Sequence, residues 1–200
     1  MGIILEGNFV SVVDSSNSLD KNNKEQEYIN YIEKHINGVK ESYIKYFAPL
    51  MGQELNLKSC SNSEFQNALI SCKSNIEVHD QSKFEDVEFE PYRLKWHPTV
   101  DETLALEDID VYNIMVTNYE EAWKHHYTNN PHHPEYWVQK DGSILDMEIK
   151  YIIEMLCDWL SFGDDIRPWY QNKAKDEKDD MSTKTKEIVE ELMELIYTKQ

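Results

Sequence analysis

Five histidines and two aspartates stand in a fixed order along the chain: His35, the doublet His79-Asp80, His126, the pair His132-His133, and finally Asp158. Neutral imidazole and carboxylate together form a donor set for Mn, Fe, Co, Zn or Ni, whereas carboxylates and carbonyls alone would point to Mg or Ca. A single buried histidine is more often a satisfied core residue than a ligand. An ordered set of inward-facing ligand types has no comparable structural explanation, and it predicts a cluster of divalent metal ions.

Helical periodicity must position these residues. From Gln26 to about Met51 the apolar residues Tyr28, Ile29, Ile32, Ile36, Val39, Tyr43 and Phe47 recur at helical spacing and carry His35 inward. A second helix, with Ser63 as its expected N-cap, has the stripe Phe65, Leu69, Cys72 and Ile76, and the next steps along it land on His79 and Asp80. Phe84 to Trp96 continues in helix-like fashion, with a break or a new first turn expected at Pro91. Between Val111 and Tyr127 the series Met115, Tyr119, Ala122 and His126 shares one face, so His126 rather than His125 is expected to point inward. Asn129-Asn130-Pro131 stops that helix and leaves His132-His133 in a proline-stiffened loop. Between Ile144 and Phe162 the stripe Ile144, Met147, Tyr151, Glu154 and Asp158 brings two carboxylates onto one face. Trp159, Phe162, Trp169 and Tyr170 predict an aromatic-walled turn around Gly163 and Pro168. Lys173 to Asp180 reads as a solvated linker, and Thr183 to Tyr197 as an amphipathic helix capped by Ser182.

At the N-terminus, a short β-prone piece from Phe9 to Val13 and a polar run through Lys24 read as a flexible or irregular lead-in. The expected organisation is thus all-α: residues 1–24 as lead-in and residues 25–200 as a single helical domain. Two hundred residues, 40% hydrophobic with five Trp, suffice for one domain with a real core.

The formal charge of −18, from 38 acidic and 20 basic residues, repels nucleic-acid phosphates and argues against double-stranded nucleic acid as a partner. A phosphorylated substrate would need local positive charge, such as metal ions. Cys60, Cys72 and Cys157 lack CxxC spacing, which argues against a disulfide framework or zinc knuckle and fits a reducing cytoplasm. The opening Met1-Gly2-Ile3-Ile4-Leu5-Glu6 has no basic n-region, is too short to span a bilayer, and places Glu6 where a myristoylation signal wants Ser or Thr. No membrane partner is expected.

A first-helix histidine, a His-Asp doublet, a further histidine, a His-His pair and a late-helix Asp together resemble the HD-domain superfamily of metal-dependent phosphohydrolases, an all-helical fold. His79-Asp80-Gln81-Ser82-Lys83 is similar to the HD-x-x-Lys stretch of its binuclear branches, where the lysine faces substrate phosphate. At finer grain, that stretch resembles an uncharacterised family found in phages and bacteria, as do Ala122-Trp123, Asn130 to Trp137 and Glu154 to Trp159. A phage-encoded member would work in the host cytoplasm. The Gly-Tyr-Pro signature of the HD-GYP phosphodiesterases is absent after His132-His133, which argues against cyclic-dinucleotide cleavage.

The resemblance implies an HD-like bundle with two ions, drawn from Mn, Fe, Co or Zn. His35, His79, Asp80 and Asp158 would hold one ion and His126, His132 and His133 the other, with Asp80 bridging. Two metals about 3.5–4 Å apart can share a hydroxide and clamp the oxygens of a phosphoryl centre. Lys83 would neutralise the substrate phosphate, and Glu154 would orient a ligand histidine or shuttle a proton. Glu135 and Arg167 are substrate-contact candidates by chain position, whereas His97 and His125 read as surface or helix-flank histidines. The leading expectation is a phosphohydrolase acting on a small phosphorylated substrate, foremost a nucleotide. The alternatives are a di-iron oxygenase, with Lys83 on a carboxylate or phosphonate, and a non-enzymatic acidic protein that binds a host factor.

Overall fold

The computed structural model describes residues 10–173 and 180–198, and those residues form eight α-helices with no strand among them. The protein is all-α. The helices are α1 (Val10–Ser42), α2 (Asn62–Glu77), α3 (Asp86–Trp96), α4 (Val100–Ala105), α5 (Ile109–Asn129), α6 (Ile149–Leu160), α7 (Arg167–Lys173) and α8 (Thr183–Thr198). No helix among the described residues is long and apolar enough to cross a membrane.

The chain groups into two compact units. One takes the described part of Met1–Glu33 together with Ser82–His125, and the other takes Lys34–Gln81 together with the described part of His126–Gln200. In the first unit Tyr28 packs against Phe89 and His97, and Tyr92 meets Tyr119 edge-on. The fully buried Arg93 reaches Glu102 at 2.6 and 2.9 Å and Glu90 at 2.9 and 3.0 Å, and donates to the His97 carbonyl. His125 is half-buried in this unit, its Nδ1 2.7 Å from the buried Glu88.

The second unit holds the larger core. Phe65, Leu69, Cys72 and Ile76 of α2 pack with Ile152, Ile153, Leu156 and Cys157 of α6, and Ile188, Val189, Leu192 and Ile196 of α8 join them. The cysteines are free; burial pushes the Cys72 and Cys157 thiols up, so they behave as small core hydrophobes.

Several expectations need correcting. The region foreseen as β-prone and flexible is helical from Val10 onward, and only its first nine residues lie outside the described part. Its polar residues were weighed as loop formers, but they sit on the leading turns of a helix whose later apolar stripe is well buried, a case of tertiary packing overriding weak local preference. Helix α2 is capped by Ser61, not Ser63: the Ser61 hydroxyl accepts from the Glu64 amide at 3.3 Å while Glu64 accepts from the Ser61 amide at 2.8 Å. This is a reciprocal capping box, and Ser61→Ala is expected to cost about 1 kcal/mol in denaturant unfolding. Pro91 lies inside α3 without ending it, after a 3₁₀ turn over Gln81–Phe84. Helix α6 starts at Ile149 rather than Ile144, which instead pairs in an isolated bridge with Val138. The expected cap of the last helix is present, the Thr185 amide donating to Ser182 Oγ at 3.1 Å. The stretch foreseen as a linker falls mostly on residues 174–179, outside the described part.

Candidate metal centre

All seven predicted ligands belong to the second unit, and three helices and two connecting segments deliver them. His35 comes from α1. His79 and Asp80 follow α2 directly, past its last residue Glu77. His126 stands near the end of α5, His132 and His133 occupy the loop behind it, and Asp158 lies in the last turn of α6, four residues after Glu154.

Asp80 is the pivot. Its Oδ2 lies 3.4 Å from His35 Nε2 and 3.5 Å from His79 Nε2, while its Oδ1 lies 3.4 Å from His126 Nε2 and 3.5 Å from His132 Nε2. Asp158 Oδ1 closes the first side, 3.1 Å from His35 Nε2 and 3.8 Å from His79 Nε2. His133 completes the second, its donor atom within 4.8 Å of those of Asp80, His126 and His132. Three overlapping groups could each hold an ion: Asp80-His126-His132-His133, His35-His79-Asp80, and His79-His132-Asp158.

The backbone at Asp80 is left-handed, with φ of 55°, the one such non-glycine residue among the described residues. That conformation costs an ordinary L-residue roughly 1–2 kcal/mol, and Asp and Asn bear it best. Here it ends the α2 direction sharply and turns the carboxylate so that each oxygen meets a different pair of imidazoles. Strain of this kind is retained where the surroundings over-determine it, characteristically at functional sites.

The far side of each ring is also arranged. Glu154, buried on α6, accepts from His79 Nδ1 at 3.0 Å, and the same Oε1 lies 3.3 Å from His132 Nδ1. Donating Nδ1–H to an acceptor fixes the ring so that Nε2 is the atom offered to a metal. The Nε2 atoms of His79 and His132 are buried with no hydrogen-bond partner among the described residues, as is His132 Nδ1. A purely structural ion-pair cluster would have satisfied them, since buried polar atoms in folded proteins are nearly always bonded. The donor set therefore fits divalent transition-metal ions.

Electrostatics agree. Burial disfavours charge on His79, but Asp80, Asp158 and Glu154 outweigh it and push its pKa up to about 10. Burial likewise opposes ionisation of Glu154 and Asp158. Their imidazole neighbours prevail, holding Glu154 down at about 2 and Asp158 well below the usual carboxylate range. Around Asp80, Glu154 and Asp158 the site thus demands positive charge. On the other side, burial together with His132 and His126 keeps His133 well below the ordinary imidazole range, so it is neutral and ready to donate its lone pair.

The loop carrying His132-His133 is tied by Trp137, whose Nε1 donates to the Pro131 carbonyl at 2.8 Å, and by the His133 amide donating to Asn130 O at 3.0 Å. The Asn130 amide in turn donates to the His126 carbonyl at 2.8 Å and lies 3.3 Å from that ring's Nδ1. Ser161, at the end of α6, lies 3.0 Å from His35 Nδ1. Sequence periodicity did not single out Asn130, Ser161 or the tying role of Trp137. The available signal was their spacing of four, three and five residues from His126, Asp158 and His132.

Of the remaining candidates, Lys83 is half-buried in the 3₁₀ turn Gln81–Phe84 and itself belongs to the first unit. Arg167 is engaged away from the ligands: it pairs with Asp165 at 2.8 Å and lies over the Tyr197 ring. Glu135 is half-buried in the turn Pro134–Trp137, its Oε2 without a hydrogen-bond partner among the described residues. The foreseen aromatic turn is split. Trp159 packs on Trp169 and Tyr170, whereas Phe162 stacks on His35 with ring centroids 4.9 Å apart.

Fold and site together define a class: an all-α protein with a buried imidazole–carboxylate constellation able to hold metal ions. The chain belongs to DUF5662, a family of unknown function, which it matches over residues 24–195. No curated protein and no solved structure matches it.

Proposed function

We propose that the protein is a metal-dependent phosphohydrolase of HD type, acting on a small phosphorylated substrate, foremost a nucleotide. The observation that carries this reading is Asp80, whose two oxygens address two separate sets of imidazoles, the arrangement expected of a carboxylate that bridges two ions. The ordered His/Asp pattern similar to the HD superfamily supports it.

His35, His79, Asp80 and Asp158 would hold one ion, and Asp80, His126, His132 and His133 the other. Two divalent ions supply an activated nucleophile at neutral pH and stabilise charge on a phosphoryl centre. The protein's own residues supply order. Asp80 sets the ligand sides by its backbone turn. Glu154, ionised at neutral pH, acts as an acceptor that orients His79 and His132 rather than as a proton donor. Lys83 is assigned to the substrate phosphate on its place three residues beyond Asp80 in the chain.

Elemental analysis of purified protein tests the reading. Two equivalents of Mn, Fe, Co or Zn are expected in the wild type and fewer in His79→Ala, and nucleotide hydrolysis is expected only in the metal-loaded wild type. Chelation is expected to lower the melting temperature, because an ion bound only by the folded chain stabilises it by mass action. Metal content of zero after reconstitution would sink the proposal. Iron uptake with O₂ consumption and no hydrolysis would replace it with the oxygenase reading.

A further inference from the structure

The first ligand side is supported by a serine hydroxyl. Ser161 Oγ donates its one proton to the Asp158 carbonyl at 2.7 Å. Its contact with His35 Nδ1 at 3.0 Å must then be one in which the hydroxyl accepts and the ring donates. That assignment protonates His35 at Nδ1 and makes Nε2, which faces Asp80 Oδ2 and Asp158 Oδ1, the ring atom that would ligate an ion held among those oxygens.

The hydroxyl reaches His35 because α1 comes unusually close. A Cβ built on Gly38, one turn beyond His35, would stand 3.2 Å from Ser161 Cβ and 3.6 Å from Ser161 Cα. Any larger residue at 38 would press Ser161 away from the ring. Gly38 and Ser161 together form a close-packed joint between α1 and the end of α6, with the ligand His35 on one side and the Asp158 carbonyl on the other.

We propose that Ser161, seated against Gly38, is a positioning residue for one metal position only: it sets the tautomer of His35 and anchors the last turn of α6 beneath Asp158. Ser161 meets His35 and the Asp158 carbonyl, both of the first ligand side, so its loss separates the two positions. This inference rests on the metal-centre reading above and adds to it which ion depends on which support.

The test is calorimetric titration of the full chain with Co(II), checked by elemental analysis. The wild type takes up two equivalents. Ser161→Ala keeps one with unchanged affinity and binds the other about 10–100-fold more weakly, the usual consequence of removing a partner that orients a ligand. In a His126→Ala background, which disables the other position, adding Ser161→Ala weakens the remaining ion by the same factor. Nitrogen-15 NMR of the Zn(II)-loaded protein shows a hydrogen-bonded His35 Nδ1–H in the wild type, and that signal shifts and exchanges faster in Ser161→Ala, a change that general loosening would not select. Gly38→Ala, which keeps the hydroxyl but crowds Ser161, weakens the same ion and answers the question if Ser161→Ala fails to fold. Two equivalents with wild-type affinities in both variants would overturn the proposal while leaving the metal centre standing. No Co(II) uptake by the wild type would overturn both.

Discussion

Asp80→Asn is expected to empty both metal positions while leaving the chain folded. Asn tolerates the left-handed backbone that residue 80 adopts, so the φ of 55° is retained and the change isolates the carboxylate's charge and its second acceptor oxygen. Ala at the same position would add a backbone penalty of about 1–2 kcal/mol and confuse the two effects. Because Oδ2 serves His35 and His79 while Oδ1 serves His126 and His132, a neutral amide impairs both sides together. Metal content should fall from two equivalents toward none, and hydrolysis by more than about a hundredfold, beyond the range produced by losing an outer partner. Circular dichroism should still show the helical fold. Retention of one tightly held ion in Asp80→Asn would show that Asp80 does not bridge.

Glu154→Ala is expected to have the largest effect on stability of any change outside the ligands themselves. The carboxylate is buried and ionised, accepts from His79 Nδ1 and lies against His132 Nδ1. Removing one partner of a buried charged pair typically costs about 3–5 kcal/mol, because the other is left uncompensated. Here two imidazoles from different ligand sides lose the same oxygen, so metal affinity should fall about 10–100-fold on both. Glu154→Gln keeps a carbonyl acceptor at that place and should recover most of the affinity. Denaturant unfolding in chelator measures the first effect, and competition with a metal-binding dye the second. Equal metal affinity in wild type and Glu154→Ala would remove Glu154 from the support of the centre.

The helical elements, and the His/Asp residues that the fold gathers into clusters able to hold a metal, were largely legible in the chain. A period of 3.6 tells which side of a helix is buried, and that is why His126 could be separated from His125. The first joins the ligand cluster and the second pairs with Glu88 in the other unit. The same logic placed Glu154 and Asp158 on one face of α6. Where local preference was weak it misled: the polar run before Lys24 is helical, and the capping serine of α2 lies two residues earlier than foreseen.

Chemistry and order are written along the chain: which donors exist, which faces carry them, and that the surface is too acidic to seek phosphate without help. Geometry between residues far apart in the chain came from packing. The left-handed turn at Asp80, the division of its two oxygens, the shared acceptor at Glu154 and the Gly38–Ser161 joint all depend on how α1, α2 and α6 pack. Periodicity carries direction around one helix axis. It carries no distance between axes, and hydrogen bonds and metal ligation are decided by distances of a few tenths of an ångström.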